Sequence, residues 1–70
     1  MEPLSFSKIG DKKIILKITG KDEVRQHLAE LGFVVGVEIS IVSKIGKNMI
    51  LSVKESRIGL DMSMVNRIMV

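Results

Sequence analysis

Residues 21–39 read K-D-E-V-R-Q-H-L-A-E-L-G-F-V-V-G-V-E-I. The reading of this stretch decides the fold: one short helix, a glycine stop, a tight apolar connection and the start of a strand. Val24, Leu28 and Leu31 stand at i, i+4 and i+7, on one helical face. Glu23, His27 and Glu30 follow the same spacing one position earlier and mark a polar face. Asp22 is the expected N-cap, because its carboxylate can accept a free N–H of the first turn. Lys21 would be poor in that role. Gly32 follows the last apolar position, where a left-handed residue ends a helix. Gly36 marks a second sharp change of direction before the next strand. A lone helix of about ten residues is marginal in water. Its stripe must therefore dock on strands to either side.

Upstream, Leu4 and Phe6 alternate with Ser5 and Ser7 and are expected to plug one end of the core. Ile9-Gly10-Asp11 is a turn signal. Residues 12–19 read as a strand with Ile14, Leu16 and Ile18 inward and Lys13, Lys17 and Thr19 outward. Ile15 breaks the alternation, as a covered residue or a twist would. Downstream, residues 37–44 form a second strand with Val37, Ile39 and Ile41 inward, and Val42 changes the phase as a bulge does. Gly46-Lys47-Asn48 is a hairpin turn. Residues 49–53 return antiparallel with Met49, Leu51 and Val53 on one face. Lys54-Glu55 is another tight turn, and residues 57–60 follow with Ile58 and Leu60 inward. Gly59 is expected to admit another backbone closely. Residues 61–66 read as a helical turn capped by Asp61 or Ser63. Residues 67–70 are a last strand whose natural partner is the first. The fold class is mainly β. About five strands close into a small barrel, with one short α-helix inserted after the first strand and a helical turn before the last.

The 70 residues make one domain, residues 1–70. So small a domain buries only about 60% of its unfolded surface, and a 46% hydrophobic composition supplies that core. The absence of cysteine excludes a disulfide scaffold and a thiolate metal centre, and fits a reducing compartment. Met1-Glu2-Pro3 opens without a signal-peptide pattern, and no apolar run nears the roughly 18 residues of a membrane span. The expectation is a cytoplasmic protein with no membrane insertion. The net charge of +3 comes from scattered lysines, which read as a solvated surface and not as a basic stripe.

Catalytic chemistry has little to build on. His27 is the only histidine, and it lies on the polar helical face. The glycines spell no phosphate loop. The expectation is a protein that is not an enzyme and needs no cofactor. Glu23, His27 and Glu30 could offer two carboxylates and an imidazole to one divalent cation. A solvated polar face is the favoured reading, because one helix face rarely completes a coordination shell. Met49 and Met69 read as core filler, whereas Met62 and Met64 on the closing turn fit a protein contact. Small barrels bind single-stranded nucleic acid by stacking bases on aromatics. Only Phe6 and Phe33 exist here, both in apolar contexts, so no nucleic-acid partner is expected.

Leu31-Gly32-Phe33-Val34-Val35-Gly36 resembles the L-G-x-x-x-G signature of the FeoA family, small companions of the bacterial ferrous-iron transporter FeoB. Leu4 and Gly10, Ile18 and Gly20, and Arg25 with Leu28 also match the family's order. So does the tail, Ser56-Arg57-Ile58-Gly59-Leu60-Asp61 through Asn66-Arg67-Ile68-Met69-Val70. Val35 departs from the pattern, standing where many members carry proline. Gly59 and Val65 stand where alanine is frequent. The resemblance implies a Src-homology-3-like barrel and a non-enzymatic adaptor of ferrous iron transport. The implied partner is a FeoB-type membrane GTPase transporter. The contact surface expected for it is Phe33, Val34 and Val35 with Met62 and Met64, an apolar run at a turn. For Phe33 a core position fits as well. The alternatives are a divalent-metal-responsive regulatory domain and a small nucleic-acid-binding barrel.

Overall fold

In the computed structural model, which describes residues 1–70, helix α1 spans Asp22–Glu30. Its stripe docks as the spacing predicts. Leu28 is fully buried, and Val24 and Leu31 pack half-buried against the core. Its start differs from expectation. Lys21, in extended conformation, is the N-cap and makes no side-chain bond. Asp22 stands inside the first turn, paired with Arg25, where its charge still faces the positive helix end.

The helix stops in a Schellman motif. The Gly32 N–H donates to the Ala29 carbonyl at 3.0 Å, and the Phe33 N–H donates to the Leu28 carbonyl at 2.9 Å. Gly32 takes φ +106°, which a side chain would resist. This closure swings the residue after the glycine back toward the helix. Phe33 therefore lies beside Leu28 in the core, fully buried.

The strands form two antiparallel sheets. The larger has the order β1-β3-β4-β5, with β1 Lys12–Ile14, β3 Glu38–Ile45, β4 Asn48–Val53 and β5 Ser56–Asp61. The smaller pairs β2, Lys17–Ile18, with β6, Ile68–Met69. The last strand thus finds the first, as expected. The N-terminus adds a rung, because Glu2 and Val70 exchange backbone bonds at 2.9 and 2.8 Å. The strands number six, and their hydrogen bonds do not run all the way round. Between β5 and β6 the chain passes through helix α2, Met62–Val65, and β5 has no second neighbour.

Register follows local chemistry. The β3–β4 pairing shifts between Ile41 and Ser43, which places a bulge at Val42. Ile39, Ile41, Met49, Leu51 and Val53 are buried on the inner face. Gly46 opens a two-residue turn at φ +57°, closed by Ile45 and Asn48. Gly59 meets a side chain and not the expected backbone. The Ile50 Cδ1 lies 3.2 Å from where a Cβ on Gly59 would stand.

Two expectations for the N-terminal segment are overturned. Ile14 and Leu16, expected inward, are 45% and 53% exposed, while Ile15 is fully buried, the covered residue that its break in the alternation allowed. The reason is a change of partner. Ile14 pairs with Glu38 of β3, and the Ile15 N–H donates to the Val37 carbonyl at 3.0 Å. The Leu16 N–H then donates to the Met69 carbonyl at 2.8 Å, beside β6. The strand is handed from one sheet to the other at Ile15, and the corner residue fills the space between them. Phe6 is the second correction. Leu4–Phe6 form a 3-10 turn that buries Leu4 and leaves Phe6 70% exposed.

Candidate docking surface

The connection after α1 is a four-residue turn, closed by the Val37 N–H donating to the Val34 carbonyl at 3.2 Å. Gly36 takes φ +92° at its third position, the type II arrangement. Val35 occupies the second position and points into solvent, 62% exposed. The turn is pinned to the strand corner, because the Gly36 N–H donates to the Ile15 carbonyl at 2.8 Å. Ile14 and Leu16 flank Ile15 and project away from it. The result is an exposed aliphatic corner of Ile14, Leu16 and Val35, edged by half-buried Val34.

Helix α2 sits elsewhere, packed on β4, β5 and the N-terminal 3-10 turn. Asp61 caps it. The Ser63 hydroxyl donates to Asp61 Oδ1 at 2.6 Å, and the Met64 N–H donates to the same oxygen at 3.0 Å. These two donors, the hydroxyl first, hold the carboxyl below the usual aspartate range. Met62 and Met64 are half-buried and pack on the core.

The expected contact set therefore divides three ways. Phe33 is interior, Val34 and Val35 stand at the strand corner, and Met62 and Met64 lie on α2. The burial of Phe33 has a readable signal, since apolar residues four before and one after a helix-ending glycine, here Leu28 and Phe33, belong to the Schellman pattern. Ile14 and Leu16 carry no such signal, and strand period alone puts them inside. Glu23, His27 and Glu30 all lie on the exposed helix face. No three His, Cys, Asp or Glu side chains converge anywhere to hold a metal ion.

The FeoA domain family matches residues 2–70. No curated protein sequence compared with the chain matches it. Solved structures resemble it closely. FeoA described as an iron uptake regulatory protein is 31% identical, with a TM-score of 0.88 over 96% of this chain and 89% of that one. A FeoA-like protein of Clostridium acetobutylicum is 26% identical, with a TM-score of 0.87 over 96% and 80%. FeoA of Stenotrophomonas maltophilia, solved with zinc and described as a prokaryotic SH3 domain protein, is also 26% identical. Its TM-score is 0.82 over 94% and 85%. The architecture is thus that of SH3-like proteins, and the chain belongs to the FeoA domain family.

Proposed function

We propose that this chain is a non-enzymatic accessory protein of bacterial ferrous iron transport. It acts in the cytoplasm through protein–protein contact with a FeoB-type membrane GTPase transporter. Family membership supports the iron-transport role. The observation that carries the contact is the aliphatic corner. Phe6, Ile9 and Ile45 are exposed as well, but Ile14, Leu16 and Val35 stand on two segments that backbone bonds between Ile15, Gly36 and Val37 hold side by side. Val34 adjoins this corner, and Met62 and Met64 supply softer contacts on α2. Phe33 supports the corner from inside and does not touch the partner.

The test is co-purification with the transporter's cytosolic part, with and without guanine nucleotide. Leu16→Ser with Val35→Ser should leave thermal unfolding nearly unchanged. The pair should weaken binding about tenfold or more, since about 1.4 kcal/mol of lost apolar contact is a factor of ten. An unchanged dissociation constant removes the corner from the interface. The same measurement on Met62→Ser with Met64→Ser then shows whether α2 takes its place.

A further inference from the structure

The larger sheet leaves two edges open, and only one is defended. β1 is three residues long, carries Lys12 and Lys13, and turns away at Ile15. Short length, lysines and a bend are the usual guards of an edge. β5 runs for six residues with no proline, and no strand pairs with its outer side. Its register against β4 is unbroken from Val53 and Ser56 to Asn48 and Asp61.

That register fixes which backbone groups are free. The two-residue turn at Lys54 and Glu55 makes Val53 and Ser56 a mutually hydrogen-bonded pair. Alternation then directs the N–H and C=O of Ser56, Ile58 and Leu60 toward β4. The N–H and C=O of Arg57 and Gly59, and the N–H of Asp61, face outward. The Met62 N–H donating to the Lys47 carbonyl at 2.9 Å continues the alternation one step further. Exposure agrees. Arg57, Gly59 and Asp61 are all exposed, and Gly59 has only backbone to expose.

We propose that the β5 edge pairs antiparallel with β5 of a second copy of this chain, about a two-fold axis at Gly59. Charge selects this partner and this register. With Gly59 opposite Gly59 of the second copy, Arg57 of each chain stands opposite Asp61 of the other. All three positions face outward, so the register that matches the charges also matches the hydrogen bonds. The Gly59 groups exchange N–H···O=C bonds, and each Asp61 N–H donates to the other chain's Arg57 carbonyl. On the inner face Ile58 stands opposite Leu60 of the second copy. The Asp61 cap survives, because Ser63 and Met64 both use Oδ1 and leave Oδ2 for the arginine. Sliding one strand by two residues loses both charge pairs. Sliding it by four sets arginine against arginine or aspartate against aspartate, which is unfavourable directly across a ladder.

A single strand pair is a small interface, so the dimer is weak, with a dissociation constant on the order of 100 µM. Sedimentation of the full chain from about 10 µM to about 1 mM should show a monomer–dimer equilibrium. Over that range the Gly59 and Asp61 amides should shift and exchange more slowly with solvent. Arg57→Glu, a surface change that leaves the fold intact, should raise the dissociation constant about tenfold or more. Arg57→Lys should restore most of the loss. A chain that stays monomeric throughout overturns the proposal, as does a dimer whose concentration-dependent shifts lie away from β5. If Gly59 and Asp61 respond only to another protein, such as the transporter's cytosolic part, the edge belongs to that protein and the second copy is excluded.

Discussion

Two apolar runs of this chain obey different rules, although they meet in the same core. At residues 28–33 the buried side chains are Leu28 and Phe33, with Leu31 half-buried, as helical period and a glycine stop dictate. At residues 14–18 strand period selects Ile14, Leu16 and Ile18, yet the fully buried residue is Ile15. The helix makes its own hydrogen bonds, so its period survives wherever it docks. A strand borrows its bonds from neighbours. At Ile15 the neighbours change from β3 to β6, and the inward face changes with them. A periodic pattern reports a face only while the partner stays the same.

The largest expected effect tests the misread run. Ile15→Ala removes a side chain buried where the two sheets meet and should cost about 2–5 kcal/mol. Leu16→Ala, next to it but outside, should cost under about 0.5 kcal/mol. A domain of this length has only about 4–10 kcal/mol in total, so Ile15→Ala should leave it near the edge of unfolding. Urea midpoints of the two variants decide. Equal losses, or a larger loss for Leu16, would break the comparison and return the even-numbered residues to the interior.

The legible and illegible parts of the fold divide along the same line. The α1 stripe, the Val42 bulge, both hairpin turns and the Asp61 cap depend on residues within a few positions of one another, and each reads from the sequence. The corner at Ile15 depends on Met69, far along the chain; the broken alternation hints at a covered residue or a twist there, but no local pattern says that the strand changes partner. The helix start differs by one residue from the expected cap at Asp22, because a carboxylate is favourable both as a cap and in the first turn. The candidate surface divides likewise. Val35 is legible through Gly36, whose turn pushes its neighbour outward. Ile14 and Leu16 join it only once the strand is known to bend.

The well-read run yields a middle-sized effect. Gly32→Ala keeps space for its new methyl, since the nearest atom, Val53 Cγ2, is 3.7 Å from the Cβ position. The cost therefore comes from backbone conformation at φ +106° and should be about 1–2 kcal/mol. Thermal unfolding measures it. If alanine is tolerated without loss, the Schellman closure is not what holds Phe33 against Leu28, and the contrast with the strand corner loses its firmer half.

The smallest effect joins the two runs, because residues 34–37 connect them. Val35 holds the second position of a type II turn, where proline's fixed φ is already suitable. Its N–H donates to no backbone carbonyl, so Val35→Pro removes no bond. The substitution should stabilise the chain by about 0.4–1 kcal/mol, chiefly by narrowing the unfolded ensemble. It also keeps an apolar side chain at the corner, which separates stability from binding. A stabilised variant that still binds the transporter's cytosolic part places the contact in apolar area and not in flexibility of the turn. A destabilised one means that Val34 or Val35 departs from the type II backbone, and that the corner is shaped by the two strands without help from the turn.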